Sequence, residues 1–211
     1  FLLAGKGGLN LTHSEPLEPF IGRYGQARER VAQWLAAFGP QALRDWTKGL
    51  GVDTFVGSSG RVFPTDMKAA PLLRAWLHRL RGSGVRLHMR HRWLGWAEAH
   101  SGRAPALRFT SPAGEATVQA DAVVLALGGA SWARLGSDGA WVPLLAERGV
   151  PIAPLRPSNC GFDVARWSDH LRAKFAGAPL KNVALRCGGF AQRGEFVLTA
   201  TGIEGSLVYA A

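Results

Sequence analysis

The run Asp121-Ala122-Val123-Val124-Leu125-Ala126-Leu127, closed by Gly128-Gly129, decides how the rest of the chain is read. An almost unbroken apolar stretch of this kind is what a strand buried on both faces of a parallel sheet requires. Downstream, a helix is expected from about Asp138 to Arg148, closed by Gly149. Pro151, Pro154 and Pro157 then form a stiff connection. Beyond it, Asn182 to Cys187 and Glu195 to Thr199 read as strands around Gly188-Gly189 and Arg193-Gly194.

Upstream of the apolar run the period is 2. Val85, Leu87 and Met89 alternate with polar residues, as do Leu107 and Phe109. Pro112 to Glu115 turns the chain into Ala116 to Gln119, so a small antiparallel meander is expected. Further upstream the period becomes 3.6. Leu72, Leu73, Trp76, Leu77 and Leu80 form one helical stripe, capped by Thr65 or Asp66 and stopped by Gly82. Val31, Trp34, Leu35 and Phe38 form another, on a helix from Ala27 to Phe38 that Gly39-Pro40 ends, with a short helix at Ala42 to Trp46. Between these lie two short strands, Asp53 to Val56 and Arg61 to Phe63, around a turn at Gly57 to Gly60. This order of elements is α/β.

With 47% hydrophobic residues, eight Trp and ten Phe, the chain of 211 residues can build a core, which excludes a disordered polymer. No apolar run reaches the roughly 18 residues of a membrane span. Two cysteines, Cys160 and Cys187, make no disulfide framework or metal-ligand spacing, so a reducing, cytoplasmic setting and no metal site are expected. The chain opens on Phe1 and ends in the apolar Leu207 to Ala211, which reads as an internal piece of a longer protein. The net charge of +10 comes mostly from arginines spread singly, with the densest group at Arg86 to Arg92. That dispersal disfavours direct nucleic-acid binding, although a basic RNA-binding or RNA-modifying module remains the alternative function.

Two glycine clusters carry the candidate chemistry. In Gly5-Lys6-Gly7-Gly8-Leu9-Asn10-Leu11-Thr12, three glycines free the backbone N–H groups to turn towards one anionic ligand, Lys6 adds a charge, and Asn10 and Thr12 can donate hydrogen bonds. At the end of the apolar run, Gly128 and Gly129 suit a close approach by a dinucleotide at the carboxyl edge of a parallel sheet. The fingerprint Gly-x-Gly-x-x-Gly does not occur in these residues, so the first strand-helix-strand unit is expected upstream of Phe1. Arg61 could meet an anion but also reads as a solvated turn residue. Six histidines give no triad order, and no catalytic residue is assigned.

Taken in order, Gly5 to Ser14, Gly60 to Pro64, Asp121 to Ser131 with Leu135 to Gly139, Pro154 to Pro157, and Gly194 to Thr199 with Thr201 to Gly205 resemble the BaiN-like (YhiN-like) FAD-dependent flavoproteins. The resemblance implies an α/β fold: part of a Rossmann-like FAD-binding domain of glutathione-reductase type with a β-meander over residues 1–155, lacking its N-terminal βαβ unit. The start of an inserted β-rich domain would follow over 156–211. It implies an FAD-dependent oxidoreductase acting on a small molecule, with NAD(P)H as the electron donor. It places Gly5, Lys6, Gly7, Gly8, Leu9, Asn10 and Thr12 along the cofactor, Arg92 and Trp93 at its adenine end, and Gly128 and Gly129 beside its ADP portion. Where many members carry Gly-Gly-Gly-Arg-Cys-Asn, the Arg and Cys are Gly8 and Leu9 here.

Overall fold

A computed structural model describes residues 8–97 and 106–211, divided into two compact units, Phe1–Met89 and Arg90–Ala211. In the first unit, β1 (Thr12–His13), β2 (Thr54–Val56) and β3 (Arg61–Pro64) form an antiparallel sheet in the order β1-β3-β2. Helices α1 (Leu17–Gly22), α2 (Arg28–Ala37), α3 (Pro40–Lys48) and α4 (Ala69–Gly82) complete it. Pro40 does two jobs at one position: it cannot continue α2, and it starts α3 at a helix position that needs no backbone N–H. The stripe of α4 is legible in its burial, with Leu72 only 1% exposed in a core with Leu9 and Ala69. Leu11, Trp46, Leu50 and Val52 pack around that core. The stripe of α2 is only partly covered: Val31 is buried, but Trp34 and Phe38 are exposed. Asp66 accepts a hydrogen bond from the Lys68 backbone N–H, yet the helix starts at Ala69 with Lys68 at its N-cap, so neither Thr65 nor Asp66 caps it.

In the second unit, β4 (Arg92–Trp96), β5 (Leu107–Ser111) and β6 (Gly114–Val118) make the meander, followed by α5 (Trp141–Ala146). The last sheet combines β7 (Phe162–Asp163), β8 (Pro179–Cys187), β9 (Phe190–Leu198) and β10 (Gly202–Glu204) in the order β7-β10-β9-β8, with α6 (Asp169–Phe175) and α7 (Ser206–Tyr209). Leu207 and Val208 of α7 are almost wholly buried, and Leu207 lies against Gly194 of β9. All four strands of this sheet lie after the proline connection.

Three expectations need correction. The residues Asp121 to Leu127 are not a buried strand: they belong to no sheet, and Val124 is 90% exposed. All three sheets are antiparallel among the described residues. A strand is made by its ladder, and no strand among these residues offers a parallel edge to this one. For the same reason Val85 to Met89 is not the first meander strand. That strand starts at Arg92, after Arg90 turns the chain at φ 57°. Finally, Arg193-Gly194 is no turn; both residues lie inside β9, where the absent side chain of Gly194 makes room for Leu207.

Candidate functional site

The glycine segment is described from Gly8 onward; Gly5, Lys6 and Gly7 lie outside the described residues. Gly8 has φ +125°, a backbone conformation that favours glycine; a Cβ there would lie 2.6 Å from the Met67 Cε, the mobile end of a flexible side chain. The segment is then stitched down. Leu9 donates its N–H to the Met67 carbonyl at 3.1 Å, and Leu11 donates to the Val62 carbonyl at 2.9 Å. Leu9 points into the core, so it anchors the segment there. Asn10 uses its side-chain amide internally, donating to the carbonyls of Thr12 at 2.9 Å and Val62 at 3.2 Å. The Asn10 amide nitrogen is therefore spent on backbone carbonyls of β1 and β3, and Asn10 retains its side-chain oxygen as an acceptor. Thr12 enters β1 opposite Val62.

His13 follows, and both of its ring nitrogens are engaged. Nδ1 accepts from the Glu15 N–H at 3.1 Å, which leaves Nε2 as the donor to the Ser59 carbonyl at 3.0 Å. The ring thereby ties β1 to the turn at Ser59.

The second unit brings Arg92 and Trp93 together with the end of the apolar run. A cavity of about 340 Å³ is lined by Arg90, His91, Arg92, Trp93, Leu127, Gly136, Asp138, Ala140 and Trp141. A bulge between Trp93 and Gly95 shapes it. Gly95 takes φ +108°, which lets residues three apart share a face, and the Trp93 and Trp96 rings meet edge to face at 4.8 Å. Arg148 of the following turn lies over Trp96 at 4.9 Å. Arg92 donates to the Asp138 carboxylate at 2.7 Å, and Asp138 also accepts from the Ala140 N–H at 3.1 Å, just before α5. The indole N–H groups of Trp93 and Trp141 are buried with no acceptor among the described residues. Two buried donors beside one cavity are what an acceptor-rich ligand would satisfy. The volume sits near the low end for ligand pockets, roughly 300–1,000 Å³, and so suits one end of a dinucleotide.

Gly128 and Gly129 do not line this cavity. Gly129 borders a separate one in the same unit, and Gly128, at φ +69°, turns the chain between them. The glycine segment at Gly8 to Thr12 belongs to the first unit. Asp138 and Trp141 are site residues that the sequence reading did not single out. Asp138 carries a signal, a short acidic side chain two residues ahead of a backbone N–H it can bond, whereas nothing in the sequence marks Trp141.

The Arg92 guanidinium, then the Ala140 N–H, hold the Asp138 carboxyl below its ordinary value. A depressed carboxyl stabilises the fold above its unfolded value and loses that contribution as pH falls through the folded one. Arg92→Ala should thus reduce stability at pH 7, with the difference from wild type shrinking below about pH 4 and vanishing once the pH falls below the depressed folded value, since protonation also breaks the pair. Urea denaturation at both pH values checks this. A difference that persists undiminished in acid would show that Arg92 acts through packing instead.

Among the described residues no group of three or more His, Cys, Asp or Glu could hold a metal ion, and no helix is long and apolar enough to cross a membrane. A search of curated proteins gave no match. A family model does match, over residues 1–208, and its description is an HI0933-like protein Rossmann domain. The match takes in the glycine segment, the meander, the 340 Å³ cavity and the last sheet together. On that span the chain belongs to the HI0933-like Rossmann-domain family, of FAD-binding oxidoreductase type and related to the BaiN-like proteins.

Proposed function

We propose that this protein is an FAD-dependent oxidoreductase that takes electrons from a nicotinamide dinucleotide and passes them to a small-molecule substrate. The observation that carries the reading is the cavity beside Arg92 and Trp93, with its two buried indole donors and the Arg92–Asp138 pair at its rim, in a chain of this family. In this reading Arg92 and Trp93 hold the adenine end and Gly128 and Gly129 flank the ADP portion. Gly5 to Thr12 would lie along the flavin, with Lys6 and the backbone N–H groups favouring its anionic reduced form. FAD, when bound, supplies the redox chemistry; the chain positions it and sets its electrostatics. The Arg and Cys common at the positions of Gly8 and Leu9 are absent here, so no thiol step belongs to this loop.

The test is direct. The full-length protein, purified and incubated with FAD, should retain visible flavin absorbance after desalting, and NADH or NADPH should bleach it under anaerobic conditions. A protein that stays colourless after incubation would overturn the cofactor; retained colour that neither donor bleaches would overturn the donor alone.

A further inference from the structure

The first unit has a cavity of its own, of about 400 Å³, bordered by α1, by the corner between α2 and α3, and by the residues that follow β1. The corner is tight: a Cβ on Gly39 would lie 2.7 Å from the Leu35 carbonyl oxygen, a backbone atom that no rotamer change moves. Leu17, Leu35, Pro40 and Ala42 give the cavity an apolar wall, and Leu17 keeps 42% of its surface exposed. An apolar wall with a few converging polar groups is the usual make-up of a small-molecule site.

Most of the polar lining is already committed. Both ring nitrogens of His13 are engaged, and Gln41 donates its amide to the Asp45 carboxylate at 2.8 Å. Glu15 is neutralised by Arg23, whose Nε lies 2.8 Å from Oε1 and whose Nη2 donates to Oε2 at 2.8 Å. Arg44 differs. It is half-buried and donates its Nε to the Thr54 hydroxyl at 3.1 Å, yet it meets no carboxylate among the described residues. A cation withdrawn from water without a counter-ion is costly, so this one is kept for an anion that arrives from outside. With Nε taken by Thr54, the end-on pair of Nη groups remains, which matches the two oxygens of one carboxylate. A phosphate dianion would call for more charge than one guanidinium, and among the described residues no other Lys or Arg borders the cavity.

We propose that this cavity binds a small organic acid, with Arg44 on its carboxylate and the Leu17, Leu35 and Pro40 wall against its apolar body. The inference deepens the oxidoreductase reading by naming its substrate class, and rests on that reading for turnover but not for binding. Calorimetric titration of the full-length protein with phenylacetate and with octanoate should show one site for each acid. The neutral 2-phenylethanol, which keeps the ring and lacks the carboxylate, should bind at least about tenfold more weakly than phenylacetate. Arg44→Ala should weaken both acids about tenfold to a hundredfold, the loss expected for a charge-assisted pair, and Arg44→Lys should recover part of it. Leu35→Ala should weaken octanoate about threefold to tenfold through lost apolar contact.

Arg44-dependent binding of either acid by a protein that takes up no flavin would uphold this site while the flavin reading falls. No binding of either acid by wild type, or unchanged affinity of folded Arg44→Ala, overturns the proposal, and a protein that still holds flavin then leaves the flavin reading standing. Equal affinity for phenylacetate and 2-phenylethanol also overturns it, as does Arg44-dependent binding of inorganic phosphate in place of the acids. Circular dichroism of each variant verifies folding.

Discussion

Gly202→Ala should lower stability by about 3 kcal/mol or more, while Gly189→Ala should change it by less than about 0.5 kcal/mol. The substitution is the same and both glycines serve the last sheet. Gly202 sits in β10 opposite Asp163 of β7, and a Cβ there would lie 1.9 Å from the Phe162 carbonyl oxygen and 2.8 Å from the Asp163 Cα. These are backbone atoms, so no rotamer change relieves the clash; β7 must leave the sheet. Its departure would also break the bond from the Val164 N–H to the Thr201 carbonyl and the one from the Thr201 hydroxyl to Asp163. Gly189 lies in the turn between β8 and β9, where an added Cβ meets nothing within 4 Å. Urea midpoints at unchanged slope give the comparison. Equal midpoints for the two variants would show that β7 is not held in the sheet as described.

That tight fit was invisible in the sequence, where Gly202 is one glycine in a chain with 27. Local elements were legible because their causes are local. The 3.6 period of Leu72 to Leu80 is answered by α4, and the turn at Gly57 to Gly60 by the pairing of β2 with β3. Strands that depend on a distant partner were not. Asp121 to Leu127 has the composition of a buried strand, but composition states what a segment tolerates, and only a neighbouring edge makes the ladder. The converse holds for β10, three residues that pair with β7 and β9 from opposite sides, as no local pattern would announce.

The site divides the same way. Gly8 was marked as a point of backbone freedom, and its φ of +125° answers that reading; the Met67 side chain beside it lies 59 residues away and leaves no local sign. Asn10 was half legible: its amide donates as the sequence suggests, but to the backbone carbonyls of Thr12 and Val62, the second supplied by a strand 52 residues away. Arg92 and Trp93 came from resemblance, whereas their partners Asp138 and Trp141 are set by the chain returning past the meander.

Leu72→Ala carries the second large effect and connects the first unit's core to the proposed cofactor. Leu72 is 1% exposed and packs with Ala69 and Leu9, the residue that anchors the glycine segment. Removing its side chain should cost about 2–5 kcal/mol through lost burial and the cavity left behind. Leu207→Ala, at an equally buried leucine in the other unit, should cost a similar amount. The two should differ in flavin binding. Slack beneath Leu9 releases the segment that the Leu9 and Leu11 backbone bonds hold in place, so Leu72→Ala should weaken FAD roughly tenfold, or ~1.4 kcal/mol of lost preorganisation. Leu207→Ala touches none of these residues and should leave the affinity of its folded fraction unchanged. Both measurements belong at a temperature where each variant is folded by circular dichroism. Equal weakening by the two would mean that flavin affinity follows global stability, and would remove Leu9 as the link between the core and the glycine segment.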